Sequence, residues 1–226
     1  RALAVKDAEI IGIMPCFPEY VPFAEANGVR FVPVKADART FQPDVAALAA
    51  GITAHTQAVI INSPNNPTGV VYTREALEAV AKLLTEKSAE YGHPIYIIAD
   101  EPYRELVFDG TPAPFIPTIY NNTIVCYSYS KSLSLPGERV GYVCVPDTVD
   151  DSAEVFAAVA GAARASGHVC APSLQQRVIA LCAASRPDVK TYRRNSYFLY
   201  DKLTAMGYDC VHPDGAFYMF VKAPGG

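Results

Sequence analysis

Polar side chains able to do chemistry gather directly after apolar runs. After the run 58–61 comes Asn62-Ser63-Pro64-Asn65-Asn66-Pro67-Thr68-Gly69, where two prolines and a glycine restrict the backbone and Asn66 is held before Pro67. After 95–99 comes Asp100-Glu101-Pro102-Tyr103. After 123–127 comes Ser128-Tyr129-Ser130-Lys131-Ser132, with Pro136-Gly137-Glu138-Arg139 close behind. These stretches offer an amide, a carboxylate with a phenol, and an amine with hydroxyls and a guanidinium. Each alone has an ordinary explanation: Asn-Pro-x-Gly is a common turn, Asp at a strand end commonly caps a helix, and Lys among serines is commonly a solvated charge. Placed together they change meaning. An amine that can bond an electrophile or move a proton, beside an acid and an amide, is a set able to do nucleophilic and acid–base chemistry at one sheet end.

The elements that must position these residues are legible in the same runs. Ligands of an open parallel sheet bind beyond the carboxyl ends of its strands, where loops and helix N-termini converge. Strands are expected at 10–13, 29–34, 58–61, 95–99, 123–127 and 139–145, several of them apolar on both faces, as strands covered on both sides must be. A helix is expected over 73–91, with Thr73 as cap, Glu75 in the first turn, a stripe of Leu77, Val80, Ala81 and Leu84, and Gly92 with Pro94 as the stop. Further helices are expected at 152–165, 173–184 and from Pro187 to about Met206. The fold class is therefore α/β, a mostly parallel sheet sandwiched by helices. The segment 208–222, with a strand-like run at 217–221, reads as the start of a smaller α+β unit. The expected division is 1–190 for the large domain and 191–226 for a linking helix and the beginning of the small one.

Composition narrows the partners. Half of the 226 residues are hydrophobic, enough for a sizeable core, and the net charge of −4 argues against a chain that works by neutralising nucleic-acid phosphates or anionic lipid. No apolar stretch approaches membrane-spanning length. The six cysteines, Cys16, Cys126, Cys144, Cys170, Cys182 and Cys210, form no Cys-x-x-Cys pair, so neither a zinc site nor a disulfide framework is expected. Their apolar surroundings suit a reducing cytoplasm. His55, His93, His168 and His212 follow no ligand spacing, and no metal is expected.

The motifs Ser63-Pro64-Asn65-Asn66-Pro67-Thr68-Gly69, Asp100-Glu101-Pro102-Tyr103, Ser128-Tyr129-Ser130-Lys131 and Gly137-Glu138-Arg139-Val140-Gly141-Tyr142, with the weaker Pro15-Cys16-Phe17-Pro18, resemble those of the class I/II aminotransferases. These are fold type I enzymes dependent on pyridoxal 5'-phosphate. The resemblance implies that Lys131 forms the Schiff base with the cofactor and then serves as base and acid for the α-proton. It implies that Asp100 pairs with the pyridinium nitrogen, and that Tyr103 and Asn66 hydrogen-bond the phenolic oxygen. It further implies that Ser128 and Arg139 hold the phosphate and that Phe17 stacks on the ring. Tyr129 and Ser130 are expected to alternate with these in strand-like geometry. The implied reaction moves an amino group between an amino acid and a 2-oxo acid, and the implied assembly is a homodimer. Two readings stay beside it: a lyase or decarboxylase of the same fold, which reuses the same residues, and a non-catalytic sensor domain. The family's phosphate-binding Gly-rich turn and its carboxylate-binding small-domain Arg find no match here, so the expected piece lacks the N-terminal part and most of the small domain.

Overall fold

The computed structural model of the protein describes residues 1–109 and 112–225. Six strands, β1 (Glu9–Met14), β2 (Arg30–Lys35), β3 (Thr56–Asn62), β4 (Tyr96–Asp100), β5 (Thr123–Ser128) and β6 (Gly141–Cys144), form one sheet in the order β2-β1-β3-β4-β5-β6. The first five run parallel, and β6 returns antiparallel to β5. All six expected strands are present. β6 begins later than the expected 139 because Arg139 sits in left-handed backbone (φ 53°) after the short helical turn Pro136–Glu138.

The central strands β1, β3, β4 and β5 are mostly buried on both faces, whereas β2 and β6 at the sheet edges are largely exposed, and alternate residues feed two cores. Ile11, Val59 and Ile97 point to one side, against Leu48, Leu77, Val80 and Leu84. Ile10, Ala58, Tyr96 and Ile124 point to the other, against Ala24 and Val155. The helices that supply these residues are α1 (Tyr20–Glu25), α2 (Val45–Gly51), α3 (Arg74–Tyr91) and α5 (Ser152–Ala165); the other described α-helices are α4 (Tyr129–Ser132), α6 (Ser173–Cys182) and α7 (Val189–Ala205). In α3 the Thr73 hydroxyl accepts from the Ala76 amide at 3.1 Å, and Gly92 closes the helix at φ 75° while its amide donates to the Ser88 carbonyl. Among the described residues no helix is long and apolar enough to cross a membrane.

Two expectations need correction. The run 217–221 is not a strand: its neighbourhood holds only the isolated bridges Val107 to Gly215 and Cys210 to Val221. Ala216 adopts left-handed backbone (φ 55°) and turns the chain there, so no ladder can propagate. Tyr129 and Ser130 lie on the one-turn helix α4 and not in strand-like geometry. The expected linking helix, α7, begins at Val189.

Candidate functional site

The parallel register sets the frame. Asn62, Asp100 and Cys126 are neighbours across β3, β4 and β5, so the loops that follow them open at one sheet edge. Asn62 ties two of these loops together: its side-chain amide donates to the Asp100 carbonyl at 2.8 Å, and its oxygen accepts from the Asn66 amide at 2.7 Å. The turn itself is closed by Asn65, which accepts from the Thr68 hydroxyl at 2.8 Å and the Thr68 amide at 3.1 Å.

At the end of β5 the Ser128 hydroxyl accepts from the Ser130 amide at 3.1 Å and so caps α4. That local bond takes the chain out of strand geometry at once and sets Lys131 in the first turn beyond the sheet. The Lys131 amine lies 6.0 Å from the centroid of the Tyr103 ring and 5.3 Å from that of Phe217. Tyr103 is buried, and its hydroxyl is 2.7 Å from that of Tyr218. Phe17 approaches the site through Tyr20: the two rings meet edge to face at 5.6 Å, and the Tyr20 hydroxyl donates to the Asp100 carboxylate. Arg139 stands two residues before Gly141, the register partner of Ser128, which puts both at the same edge. Its exposed guanidinium donates to the Pro136 carbonyl at 2.8 Å, and no described hydrogen bond joins it to Ser128.

Burial governs the charge states. It pushes the Asp100 carboxyl up, against the opposing donation from Tyr20. It raises Tyr20 strongly, reinforced by the Asp100 charge. Tyr103 is raised by burial first, then by its bond to Tyr218 and the Asp100 charge, with Asn66 pulling weakly the other way. Cys126 is pushed up to about 12 by burial and then by Asp100 and Glu101. These couplings place Asn66, Asp100 and Tyr103 in one electrostatic neighbourhood, with the Lys131 amine over the same phenol. No described ion pair includes Asp100, and its carboxylate has one described donor, Tyr20. A half-buried acid of this kind favours a cationic partner. Pyridoxal phosphate fits such a set, with an acid for a protonated ring nitrogen, a phenol and an amide for an oxyanion, and an amine for an aldehyde.

Asn62, Tyr20, Phe217 and Tyr218 were not anticipated as site residues. Asn62 could have been found as the last residue of an apolar run, in register with Asp100. The other three approach from distant segments and carry no local signal.

The family described as aminotransferase class I and II matches residues 1–225. The aspartate/prephenate aminotransferase of Thermus thermophilus is 33% identical over 231 residues, covering 98% of this chain and 56% of that protein. The aspartate aminotransferase of Thermotoga maritima is 32% identical over 229 residues, covering 99% and 57%. A crystal structure of an amino transferase from Eubacterium rectale superposes with a TM-score of 0.96 at 57% identity, covering 98% of this chain and 56% of that one. The chain thus spans a little over half the length of these proteins.

Proposed function

The chain belongs to the class I and II aminotransferases, and from that premise we propose that the whole protein is a pyridoxal-phosphate-dependent transferase moving an amino group between an amino acid and a 2-oxo acid. When bound, the cofactor supplies an aldehyde that condenses with amines and a protonated ring that accepts the electron pair of a broken Cα–H bond. The chain's own side chains do the rest. The Lys131 amine would hold the cofactor through its aldehyde, with loss of water, and once displaced by the substrate amine it would act as the base that takes the substrate α-proton and the acid that delivers it to the carbon of the former aldehyde. Asp100, half-buried and accepting from the Tyr20 hydroxyl, would pair with the protonated ring nitrogen. Tyr103 and Asn66 would donate to the phenolic oxygen, Ser128 and Arg139 would hold the phosphate, and Phe17 would cover the ring.

The observation that carries this reading is the Lys131 amine over the Tyr103 ring at 6.0 Å, while the same phenol feels the Asp100 charge and the Asn66 side chain. In this reading residues 1–190 form the cofactor domain, and 191–226 form the linking helix and the start of a small domain. A cytosolic homodimer is part of the proposal. The six cysteines are free thiols, as a reducing compartment keeps them. Phe156, Leu174, Leu181 and Phe198 on α5, α6 and α7 expose apolar side chains of the kind a subunit contact covers.

The test is chemical. Pyridoxal phosphate is added to the protein, the visible absorbance is followed, and the bound aldehyde is fixed with borohydride before peptide mapping. The label is expected on Lys131; a label on any other lysine overturns the assignment. Screening amino acids for loss of the visible band, with and without a 2-oxo acid acceptor, then identifies the substrate and separates transfer from elimination.

A further inference from the structure

We propose that Tyr218 is a positioning residue for the reaction, its hydroxyl donating to the Tyr103 oxygen so that the Tyr103 proton is aimed at the cofactor's phenolic oxygen. The inference rests on the function proposed above and concerns a residue outside the motifs that led to it.

Placement of Tyr218 is set by backbone contacts to the loops of the site. The Asp214 and Gly215 amides each donate to the Gly69 carbonyl at 2.9 Å, and the Ala216 amide donates to the Leu106 carbonyl at 2.7 Å. The Leu106 amide in turn donates to the Tyr103 carbonyl at 2.8 Å. A side-chain carbon on Gly69 would come within 2.5 Å of the Tyr218 carbonyl oxygen, which shows how closely the two segments meet. The turn carrying Asn66 and the segment carrying Tyr103 therefore both grip the stretch 214–218. On that stretch Phe217 lies against the Lys131 amine, and Tyr218 meets Tyr103 edge to face at 5.5 Å with the hydroxyls 2.7 Å apart.

The two phenols share one hydrogen bond, and either can be the donor. A phenol has a single O–H. If Tyr103 donates to Tyr218, it has no proton left for the cofactor. If Tyr218 donates, Tyr103 is free to donate onward, and the chain of two bonds polarises each link. An anionic phenolic oxygen draws the arrangement to the second alternative, since charge-assisted bonds are the stronger. Asp100 and Lys131 are the charged groups facing Tyr103, and neither replaces the donor that Tyr218 provides.

The experiment uses the protein loaded with pyridoxal phosphate and reads the pH midpoint of its visible absorbance change. Weakening the Tyr103 donor leaves more charge on the phenolic oxygen, which holds the neighbouring nitrogen's proton to higher pH. Tyr218→Phe keeps the ring and is expected to raise the midpoint by roughly 0.2 to 0.6 pH unit, the size of a cooperative increment on one charge-assisted bond. In a Tyr103→Phe background the same substitution is expected to leave the midpoint where Tyr103→Phe alone puts it. An unchanged midpoint in Tyr218→Phe overturns the inference, as does an equal shift in both backgrounds, which would mark a general structural effect. Either result, with the borohydride label still on Lys131, leaves the proposed function standing. A label elsewhere overturns both.

Discussion

Asp100 and Glu101 are adjacent, and burial raises both, yet their surroundings separate their roles. Asp100 reaches the Tyr20 hydroxyl and the strand-end site, whereas Glu101 pairs with Arg104, whose guanidinium lies 4.3 Å from the centroid of Phe115. Replacing Asp100 by Asn keeps shape and removes charge. Borohydride labelling of Lys131 is expected to persist in Asp100→Asn while kcat falls roughly 10²- to 10³-fold, the scale of losing one preorganised electrostatic contact. Retained turnover would remove Asp100 from the proposed chemistry. For Glu101, burial outweighs the Arg104 charge and pushes the carboxyl up to about 7 from an ordinary 4.5. Folding therefore favours the protonated acid, and that contribution is complete below pH 4.5 and lost as pH rises through 7. Glu101→Gln mimics the neutral form, so the wild type's stability relative to this variant is expected to fall by about 3 kcal/mol between pH 4.5 and above 7. Urea unfolding of both proteins at pH 5 and pH 8 measures it; a constant difference would refute the burial argument.

Elements divide by how locally they are specified. Helix α3 was legible end to end because its cap, apolar stripe and Gly92 stop are all set within the segment. Its apolar stripe also makes it the cover of one sheet face. Leu84→Ala is expected to lower unfolding free energy by about 2–5 kcal/mol and Thr73→Ala by about 1 kcal/mol, both read from urea unfolding. Near-equal losses would mean that the stripe is not the anchor. The central parallel strands were legible for a related reason, since burial on both faces leaves nearly unbroken apolar runs. Helix α4 was not, because four residues hold no periodicity and its start depends on the Ser128 hydroxyl. The site shows the same divide. Lys131, Asp100, Tyr103 and Asn66 follow strand ends and could be read from position. Asn62 ends β3 and was readable in the same way, whereas Tyr20 acts on Asp100 across 80 residues of sequence, a distance that no window spans.

At the scale of the molecule, the sheet edge is completed by the far end of the chain. The stretch 214–218 adds Phe217 and Tyr218 to a site whose other members all come from residues 17–139, and Gly69 is one of the places where the two parts touch, with Leu106 and Tyr103. Gly69 and Gly92 make a matched pair for testing that contact. Both have φ of 75°, so a side chain at either meets the same left-handed backbone cost, about 1 kcal/mol. Their surroundings differ. A Cβ on Gly92 meets nothing within 4 Å, whereas one on Gly69 lies 2.5 Å from the Tyr218 carbonyl oxygen, a backbone atom that can yield only by moving the segment. Gly92→Ala is thus expected to lose stability and keep its affinity for pyridoxal phosphate. Gly69→Ala is expected to lose similar or greater stability and, by displacing Tyr218 and Phe217 from Tyr103 and Lys131, to bind pyridoxal phosphate about tenfold more weakly. Absorbance titrations of both variants at equal folded concentration decide the matter. Equal affinities would mean that the C-terminal stretch packs against the site without shaping it, and unequal ones that the cofactor pocket is a property of both ends of the chain.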